Sequence, residues 1–110
     1  DIVSECASGH VGSIGNVYSG NYGDNYAMFE PAHGSAPKYA GYDKVNPVAT
    51  ILSGALMAKY LGENEIYNAI FAATEETINE GNCLTYDLGG SASLSKMANE
   101  IAKRSKTHLR

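Results

Sequence analysis

The sequence predicts an α/β fold, on the basis of three well-bounded helices in its second half and one short strand in its first half. The predicted strand covers residues 26–31, "YAMFEP", which are mostly apolar and end at a proline. The order helix, loop, strand, loop and further helices is typical of helices packed on a sheet, with the loops at one sheet edge. The chain contains no internal repeat and no low-complexity linker.

The residues before the predicted strand are less regular. The opening "DIVSECASG" fits the end of a helix, and the following "GSIGNVYSGNYGDN" holds four glycines, Gly12, Gly15, Gly20 and Gly23. Glycine favours turns and weakens regular elements, so residues 12–25 are predicted to form a loop.

The first helix of the second half has clear start and stop signals. Asn46 is a good N-cap, Pro47 suits the first turn, and Gly62 predicts the helix end. The residues between them leave almost no polar face. Such a helix is buried on several sides, which in so short a chain suggests contact with another domain or subunit.

Two more helices follow, over about residues 64–79 and 93–104. The earlier one ends at Gly81, and its predicted inward residues are Ile66, Ala69, Ile70, Ala73 and Ile78. The last one places Leu94, Met97, Ala98 and Ile101 on one face. Between them "CLTYDLGG", residues 83–90, predicts a short strand or extended segment that leads to a glycine turn.

Composition excludes several functional classes. The 110 residues suffice for one small domain, and eight basic against twelve acidic residues give a net charge of −4 without a basic stripe. We therefore expect no nucleic-acid partner, and the apolar runs are too short to cross a membrane. Cys6 and Cys83 do not form a motif and indicate reduced thiols in a cytoplasmic protein. The sequence does not begin with Met, and we expect no signal peptide.

Some motif matches have simpler explanations. "SLSK", residues 93–96, matches the S-x-x-K of penicillin-recognising enzymes, but no companion motif follows and Ser93 is explained as a helix N-cap. His10 and His108 stand alone and are predicted to have surface or packing roles. The glycines do not form G-x-G-x-x-G or a P-loop.

Asp1 and Glu5 form a candidate metal site. On a helix the i, i+4 spacing puts both carboxylates on one face, and Mg²⁺ or Mn²⁺ prefers such oxygen ligands. The same spacing is also common on solvated helix faces.

The stretch "FEPAHGSAPKYAG", residues 29–41, is the strongest candidate for ligand binding. Gly34 and Pro37 impose a non-helical path that can aim backbone N–H groups at a ligand. His33 and Tyr39 can hydrogen-bond a ribose or phosphate, and Lys38 offers a point charge for a phosphate. An ordered surface loop is the alternative interpretation.

This stretch, with "DKVNPVATILSGALM" after it, resembles the cofactor loop and following helix of the isocitrate and isopropylmalate dehydrogenases. The resemblance extends to "DIVSE", similar to the helix with the metal-binding aspartates, to "VGSIG", and to "TYDLGGSAS". It implies the C-terminal part of the large domain of that fold, which is not a classical Rossmann fold, over residues 1–110. These enzymes are metal-dependent oxidative decarboxylases of 2-hydroxy acids.

The resemblance implies a binding site for the adenosine half of a nicotinamide dinucleotide. Its residues would be His33, Gly34, Ser35, Ala36, Pro37, Lys38, Tyr39, Asn46 and Tyr86, with Asp1 and Glu5 as metal ligands for Mg²⁺ or Mn²⁺. The Asn46 amide could cap the helix or bond a purine edge.

NADP is the predicted cofactor. NAD-dependent members of the family typically carry an acidic and an aliphatic residue where Lys38 and Tyr39 stand here. A lysine and a tyrosyl hydroxyl instead attract the 2′-phosphate of NADP, and Tyr86 matches another residue that contacts this phosphate.

Two departures from the family pattern matter. Gly90 stands where NADP-dependent isocitrate dehydrogenases often have an arginine, so one charged contact is lost and the preference for NADP is expected to be weaker than in the best-known bacterial enzymes. Glu5 stands where aspartate is usual, with one extra methylene.

The resemblance favours an NADP-dependent isocitrate dehydrogenase that works as a homodimer on isocitrate, with the rest of the same subunit supplying the substrate arginines and the proton-transferring tyrosine and lysine. The 110-residue chain alone is predicted to be inactive. An NAD-dependent isopropylmalate- or homoisocitrate-type dehydrogenase stays open, as does a non-catalytic nucleotide-binding or assembly module.

Overall fold

The computed structural model describes residues 14–109. The elements in this part of the chain are β1 (Tyr18–Tyr22), β2 (Ala27–Pro31), α1 (Val48–Tyr60), α2 (Asn64–Glu80) and α3 (Leu94–His108), with 3₁₀ turns at Ile14–Asn16, Pro37–Tyr39 and Tyr86–Leu88. This mixture of strands and helices agrees with the predicted α/β class. The predicted helix end in residues 1–9 and His10 lie outside the described residues.

The strands β1 and β2 form an antiparallel hairpin. Tyr18 lies opposite Pro31 and Tyr22 opposite Ala27. The prediction of a strand at residues 26–31 is thus confirmed, whereas the prediction that residues 12–25 form only a loop is wrong. Strand pairing with β2 outweighs the low strand propensity of the glycines in this segment.

Gly20 explains how a glycine-rich segment pairs as a strand. A Cβ at Gly20 would lie 2.7 Å from the Tyr22 hydroxyl oxygen, so the missing side chain leaves room for the Tyr22 ring. That ring contacts Phe29 of β2 and Tyr60 of α1, with centroid distances of 5.7 and 5.6 Å. The ring contacts attach the hairpin to the end of α1.

The helix α1 lies close to the predicted bounds. The N-cap position is Pro47, one residue later than predicted, but the first helical amide, Val48 N–H, donates to Asn46 Oδ1 at 2.9 Å, so the Asn46 side chain still caps this end. Gly62 follows the helix with φ +91°, in the left-handed region that glycine tolerates best. The helix is buried on one side only within the described chain, because Met57 and Tyr60 near its end are 47% and 49% exposed.

The helices α2 and α3 also follow the predicted pattern. Gly81 ends α2 with φ +74°, and the Ser93 hydroxyl accepts from Lys96 N–H at 3.1 Å as the cap of α3. The last helix continues to His108, beyond the predicted end near residue 104. Ile66 is exposed rather than inward-facing, because it lies in the first turn of α2.

The core lies where the three helices meet. Its buried residues come from all three helices: Val48, Leu52, Ala73, Met97 and Ile101. Tyr18 of β1 and Leu84 and Leu88 of the α2–α3 connection pack against this cluster. No helix within residues 14–109 is long and apolar enough to cross a membrane.

Charged side chains join the exposed edges of α2 and α3. Arg104 forms ion pairs with Glu80 and with Glu76 (3.5 Å) and Glu100 (3.5 Å). His108 Nε2 lies 2.6 Å from Glu76 Oε2, which gives this lone histidine the surface packing role predicted for it. Hydrogen bonds to Glu80 are the main reason that the pKa of Arg104 is raised.

The connection at residues 83–90 agrees in part with its prediction of an extended segment that leads to a glycine turn. Thr85 is extended and fully buried, but Tyr86–Leu88 then form a 3₁₀ turn rather than a strand. The turn is closed by Gly89, with φ +89°. The short connection has no neighbouring strand in the described part of the chain, so its backbone bonds are made locally.

Candidate functional site

The turns before α1 and α3 enclose a cavity of about 490 Å³. Its walls come from three segments of the chain that are distant in sequence: Gly15, His33, Gly34, Ser35, Ala36, Tyr39, Val45, Asn46, Tyr86 and Asp87. A cavity of this volume is in the range of small-molecule and cofactor sites.

One wall of the cavity is a loop with an unusual backbone path. Ala36, Gly41 and Asp43 all have positive φ, at +47°, +82° and +53°. Only one of the three is glycine, so the other two hold a conformation that costs about 1–2 kcal/mol each in an L-residue. Strain of this kind persists where surrounding contacts fix it, and it is concentrated at ligand-binding loops.

A hydrogen-bonded network lies at the floor of the cavity. The Asn46 amide nitrogen donates to Asn16 Oδ1 at 2.9 Å and to Asp87 Oδ2 at 3.0 Å, while its oxygen caps α1. The Thr85 hydroxyl donates to Asp87 Oδ1 at 2.6 Å. Both amide hydrogens of Asn46 are therefore used within the protein. Of the two roles expected for Asn46, the structure supports helix capping.

Gly15 fits closely against this network. It is buried, and a Cβ there would lie 3.0 Å from both Asn46 Nδ2 and Asp87 Oδ2. The backbone of residue 15 therefore approaches the floor more closely than a side chain would permit.

His33 offers an unused polar atom. Its Nδ1 lies 2.8 Å from the carbonyl oxygen of Gly34, so Nδ1 carries a proton and donates. Its Nε2 is buried and makes no hydrogen bond with the described residues. In the neutral ring this nitrogen is a hydrogen-bond acceptor.

Tyr39 and Tyr86 form an aromatic pair at the cavity rim, with ring centroids 5.8 Å apart and planes tilted by 53°. Hydrogen-bonding interaction with the Tyr39 side chain is the main cause that raises the pKa of Tyr86 above its ordinary 10.0, and desolvation adds to it. Two lysines contact this pair. Lys38 Nζ lies 5.6 Å from the Tyr39 centroid, and Lys44 Nζ lies 5.1 and 4.8 Å from the Tyr39 and Tyr86 centroids.

The structure brings most of the predicted cofactor residues together. All of them line the cavity except Pro37, which starts the 3₁₀ turn, and Lys38, which lies beside Tyr39. That these residues bind a cofactor stays a prediction.

The sequence-based interpretation missed Gly15, Val45 and Asp87 in the cavity wall, and Lys44 against the tyrosines. Lys44 lies in no motif that would have marked it as a binding residue. Val45 and Asp87 adjoin predicted residues in sequence, which was the available signal.

Asp1 and Glu5 lie outside the described residues, so the predicted metal site stays a prediction. Among residues 14–109, no group of three or more His, Cys, Asp or Glu side chains is arranged to hold a metal ion.

Comparison with known proteins defines the class. Residues 1–102 match the family model described as isocitrate/isopropylmalate dehydrogenase. The chain is 49% identical over 104 residues to a 3-isopropylmalate/3-methylmalate dehydrogenase of Methanocaldococcus jannaschii, covering 94% of this chain and 31% of that protein. It is 45% identical over 104 residues to a probable NAD isocitrate dehydrogenase alpha subunit of Drosophila melanogaster, covering 94% of this chain and 28% of that protein.

Identity to an NADP isocitrate dehydrogenase of Haloferax volcanii is 48% over 88 residues, or 80% of this chain and 21% of that protein. Among solved structures, the isocitrate dehydrogenase from Methylococcus capsulatus superimposes with a TM-score of 0.91 at 36% identity, covering 96% of this chain and 32% of that one. The chain belongs to the isocitrate/isopropylmalate dehydrogenase family and has the corresponding fold, as the sequence predicted. It spans about a third or less of the length of these relatives.

Proposed function

We propose that this chain is part of an NADP-dependent isocitrate dehydrogenase, in which it binds the adenosine 2′-phosphate half of the cofactor. The observation that carries the proposal is the cavity rim, where two tyrosine rings in contact and two lysines against them lie at a pocket of nucleotide size. The complete subunit oxidises isocitrate and releases CO₂.

The cavity suits an adenosine. Its wall has a ribose-binding candidate in His33, whose Nε2 is buried and lacks a partner among the described residues. Gly15 has no side chain to project between the cavity and the polar floor formed by Asn46 and Asp87. The strained loop at Ala36 places backbone groups along the same wall.

The rim suits a phosphate more than a free ribose hydroxyl. Lys38 and the Tyr39 hydroxyl offer a cation and a donor, whereas NAD-specific sites use a carboxylate to accept from the ribose 2′-OH. Asp87 is the acidic residue of the wall, and its carboxylate is already bonded by Asn46 and Thr85.

A metal site in this chain belongs to the same proposal. Asp1 and Glu5 would hold Mg²⁺ or Mn²⁺ together with carboxylates from elsewhere in the enzyme. The bound metal would act as a Lewis acid toward the substrate oxygens.

We further propose that the rest of the subunit supplies the substrate-binding arginines and the proton-transferring groups. The working enzyme is proposed to be a cytoplasmic homodimer. Met57 and Tyr60, half-exposed on α1, lie on a surface that contact with the rest of the enzyme would bury.

An NAD-dependent isopropylmalate- or homoisocitrate-type enzyme is the second candidate. Gly90 favours this second candidate, because NADP-dependent isocitrate dehydrogenases often have an arginine there. The 49% identity to the 3-isopropylmalate/3-methylmalate dehydrogenase of Methanocaldococcus jannaschii also favours it.

The test uses the full-length polypeptide that contains this chain. Replacing Lys38→Asp and Tyr39→Ile together removes a cation and a hydroxyl and adds a negative charge. Loss of a charge-assisted hydrogen bond of about 1.5–3 kcal/mol should lower kcat/KM for NADP by about ten- to a hundredfold. The added repulsion lowers it further, while kcat/KM for NAD should change little or rise.

The chain offers a matched control. Lys59 and Tyr60 are also a Lys-Tyr pair, but they lie at the end of α1 and away from the cavity. Lys59→Asp with Tyr60→Ile should leave the ratio of the two kcat/KM values unchanged. A wild-type preference for NAD, or an equal loss with both cofactors in the site variant, would contradict the proposal. Turnover of isopropylmalate but not isocitrate would support the second candidate.

A further inference from the structure

Lys44 contacts both tyrosines of the cavity rim. Its ammonium nitrogen lies 5.1 Å from the Tyr39 ring centroid and 4.8 Å from the Tyr86 centroid, within the range of cation–π contacts. Lys38 contacts Tyr39 from a longer distance, 5.6 Å. The two ammonium groups and the two tyrosine rings therefore form one cluster.

The position of Lys44 is fixed by its neighbour. Asp43, with φ +53°, accepts from Ser95 N–H at 2.9 Å and from the Ser95 hydroxyl at 2.8 Å, and its carbonyl accepts from Leu94 N–H at 2.8 Å. These bonds attach the loop to the first turn of α3. Because Asp43 is held at the start of α3, the backbone of Lys44 lies close to Tyr86, which is in the 3₁₀ turn before the same helix.

The charge of Lys44 is not used in an ion pair. Among residues 14–109, no carboxylate lies within 4.0 Å of its ammonium nitrogen. The Asp43 carboxylate is bonded to Ser95. A lysine that lies over aromatic rings without a carboxylate partner retains its capacity to bind an anion.

We propose that Lys44 is a second cation of the 2′-phosphate site, acting from the Tyr86 side while Lys38 acts from the Tyr39 side. The inference rests on the proposed NADP function and deepens it. The proposed site then contains two cations, although position 90 is a glycine. An arginine cannot simply be added at position 90, because a Cβ on Gly90 would overlap the Leu84 carbonyl.

The experiment uses two nucleotide probes that differ only in the 2′-phosphate. Adenosine 2′,5′-bisphosphate and adenosine 5′-monophosphate are measured as competitive inhibitors of the full-length enzyme, alongside kcat/KM for NADP and NAD. Lys44→Met retains the apolar stem against the rings and removes the charge. Lys44→Arg keeps the charge. Lys59→Met is the matched control, because Lys59 makes the same type of contact with the Tyr67 ring, at 4.9 Å, outside the cavity.

The preference for the bisphosphate over the monophosphate should fall about tenfold in Lys44→Met, as expected for loss of one charge-assisted contact. The NADP/NAD ratio of kcat/KM should fall in parallel. In Lys44→Arg, both the preference for the bisphosphate and this ratio should stay close to their wild-type values. Added salt should weaken the wild-type preference more than that of Lys44→Met. Lys59→Met should match the wild type.

Two results overturn the inference and can be told apart. If the wild type prefers the bisphosphate and Lys44→Met keeps that preference within about twofold, Lys44 is only a packing residue and the proposed function stands. If the wild type does not distinguish the two probes, the 2′-phosphate site itself is absent, and both the proposed function and the role of Lys44 fail.

Discussion

The floor of the cavity gives a sharp prediction for Asn46→Asp. The substitution preserves the size of the side chain and an oxygen that can cap α1. It replaces the amide that donates to Asp87 Oδ2 at 3.0 Å with a second carboxylate. Because Asn46 is only 6% exposed, the new charge would be largely shielded from water.

The cost follows from the charges. At an effective dielectric constant of about 20, two unit charges about 4 Å apart repel by about 4 kcal/mol. The variant also loses a hydrogen bond to a charged acceptor, worth about 1.5–3 kcal/mol, but protonation of one carboxylate limits the total. We expect about 3–5 kcal/mol of lost stability at pH 7.

The loss should depend on pH. The pair raises the folded-state pKa of one carboxyl above its unfolded value of about 3.9. A raised pKa favours folding at low pH and opposes it as pH increases through the folded-state value. The difference from the wild type should therefore shrink as pH falls from 7 toward 4, because the protonated acid can again donate to Asp87.

Urea-induced unfolding of the full-length polypeptide, at each pH and for both proteins, measures this difference. Asn99→Asp is the control, because Asn99 is exposed on α3 and should lose little stability at any pH. A loss below about 1 kcal/mol at pH 7, or a loss that does not shrink at acid pH, would refute the reasoning about the Asn46–Asp87 contact.

Two further predictions concern the α2–α3 connection. Gly90→Ala should destabilise the protein by about 1–3 kcal/mol in unfolding experiments, since the added Cβ overlaps the Leu84 carbonyl and the backbone must shift; an unchanged stability would contradict this packing. Tyr39→Phe should lower the pKa of Tyr86 toward its ordinary 10.0, because the hydroxyl pair that raises it is lost. Tyrosinate absorbance during alkaline titration, with Tyr86→Phe identifying the signal, measures this shift, and an unmoved titration would exclude the hydrogen bond as its cause.

The helices were predictable because their signals are local. Asn46, Gly62, Gly81 and Ser93 mark helix ends through bonds or dihedral angles that depend on a few adjacent residues. The end of α3 was less predictable. It extends to His108, where a contact with Glu76 on the neighbouring helix stabilises the last turn.

The strand β1 was not predictable from local signals. Its glycines indicate a loop, and it becomes a strand because β2 supplies partners and because the Tyr22 ring needs the space above Gly20. Similarly, the 3₁₀ turn at Tyr86–Leu88 replaces a predicted extended segment that has no neighbouring strand in residues 14–109.

The sequence by itself determined the family, the positions of three helices and most residues around the cavity, because motifs and helix ends are short-range patterns. Only the tertiary structure decided how these residues are used. In the folded chain the Asn46 amide donates to Asn16 and Asp87, and Lys44 contacts Tyr39 and Tyr86. The contacts of Asn46 with Asn16 and Asp87, and that of Lys44 with Tyr86, join residues about 30 to 40 positions apart. Their geometry depends on how the helices pack, which no local pattern encodes.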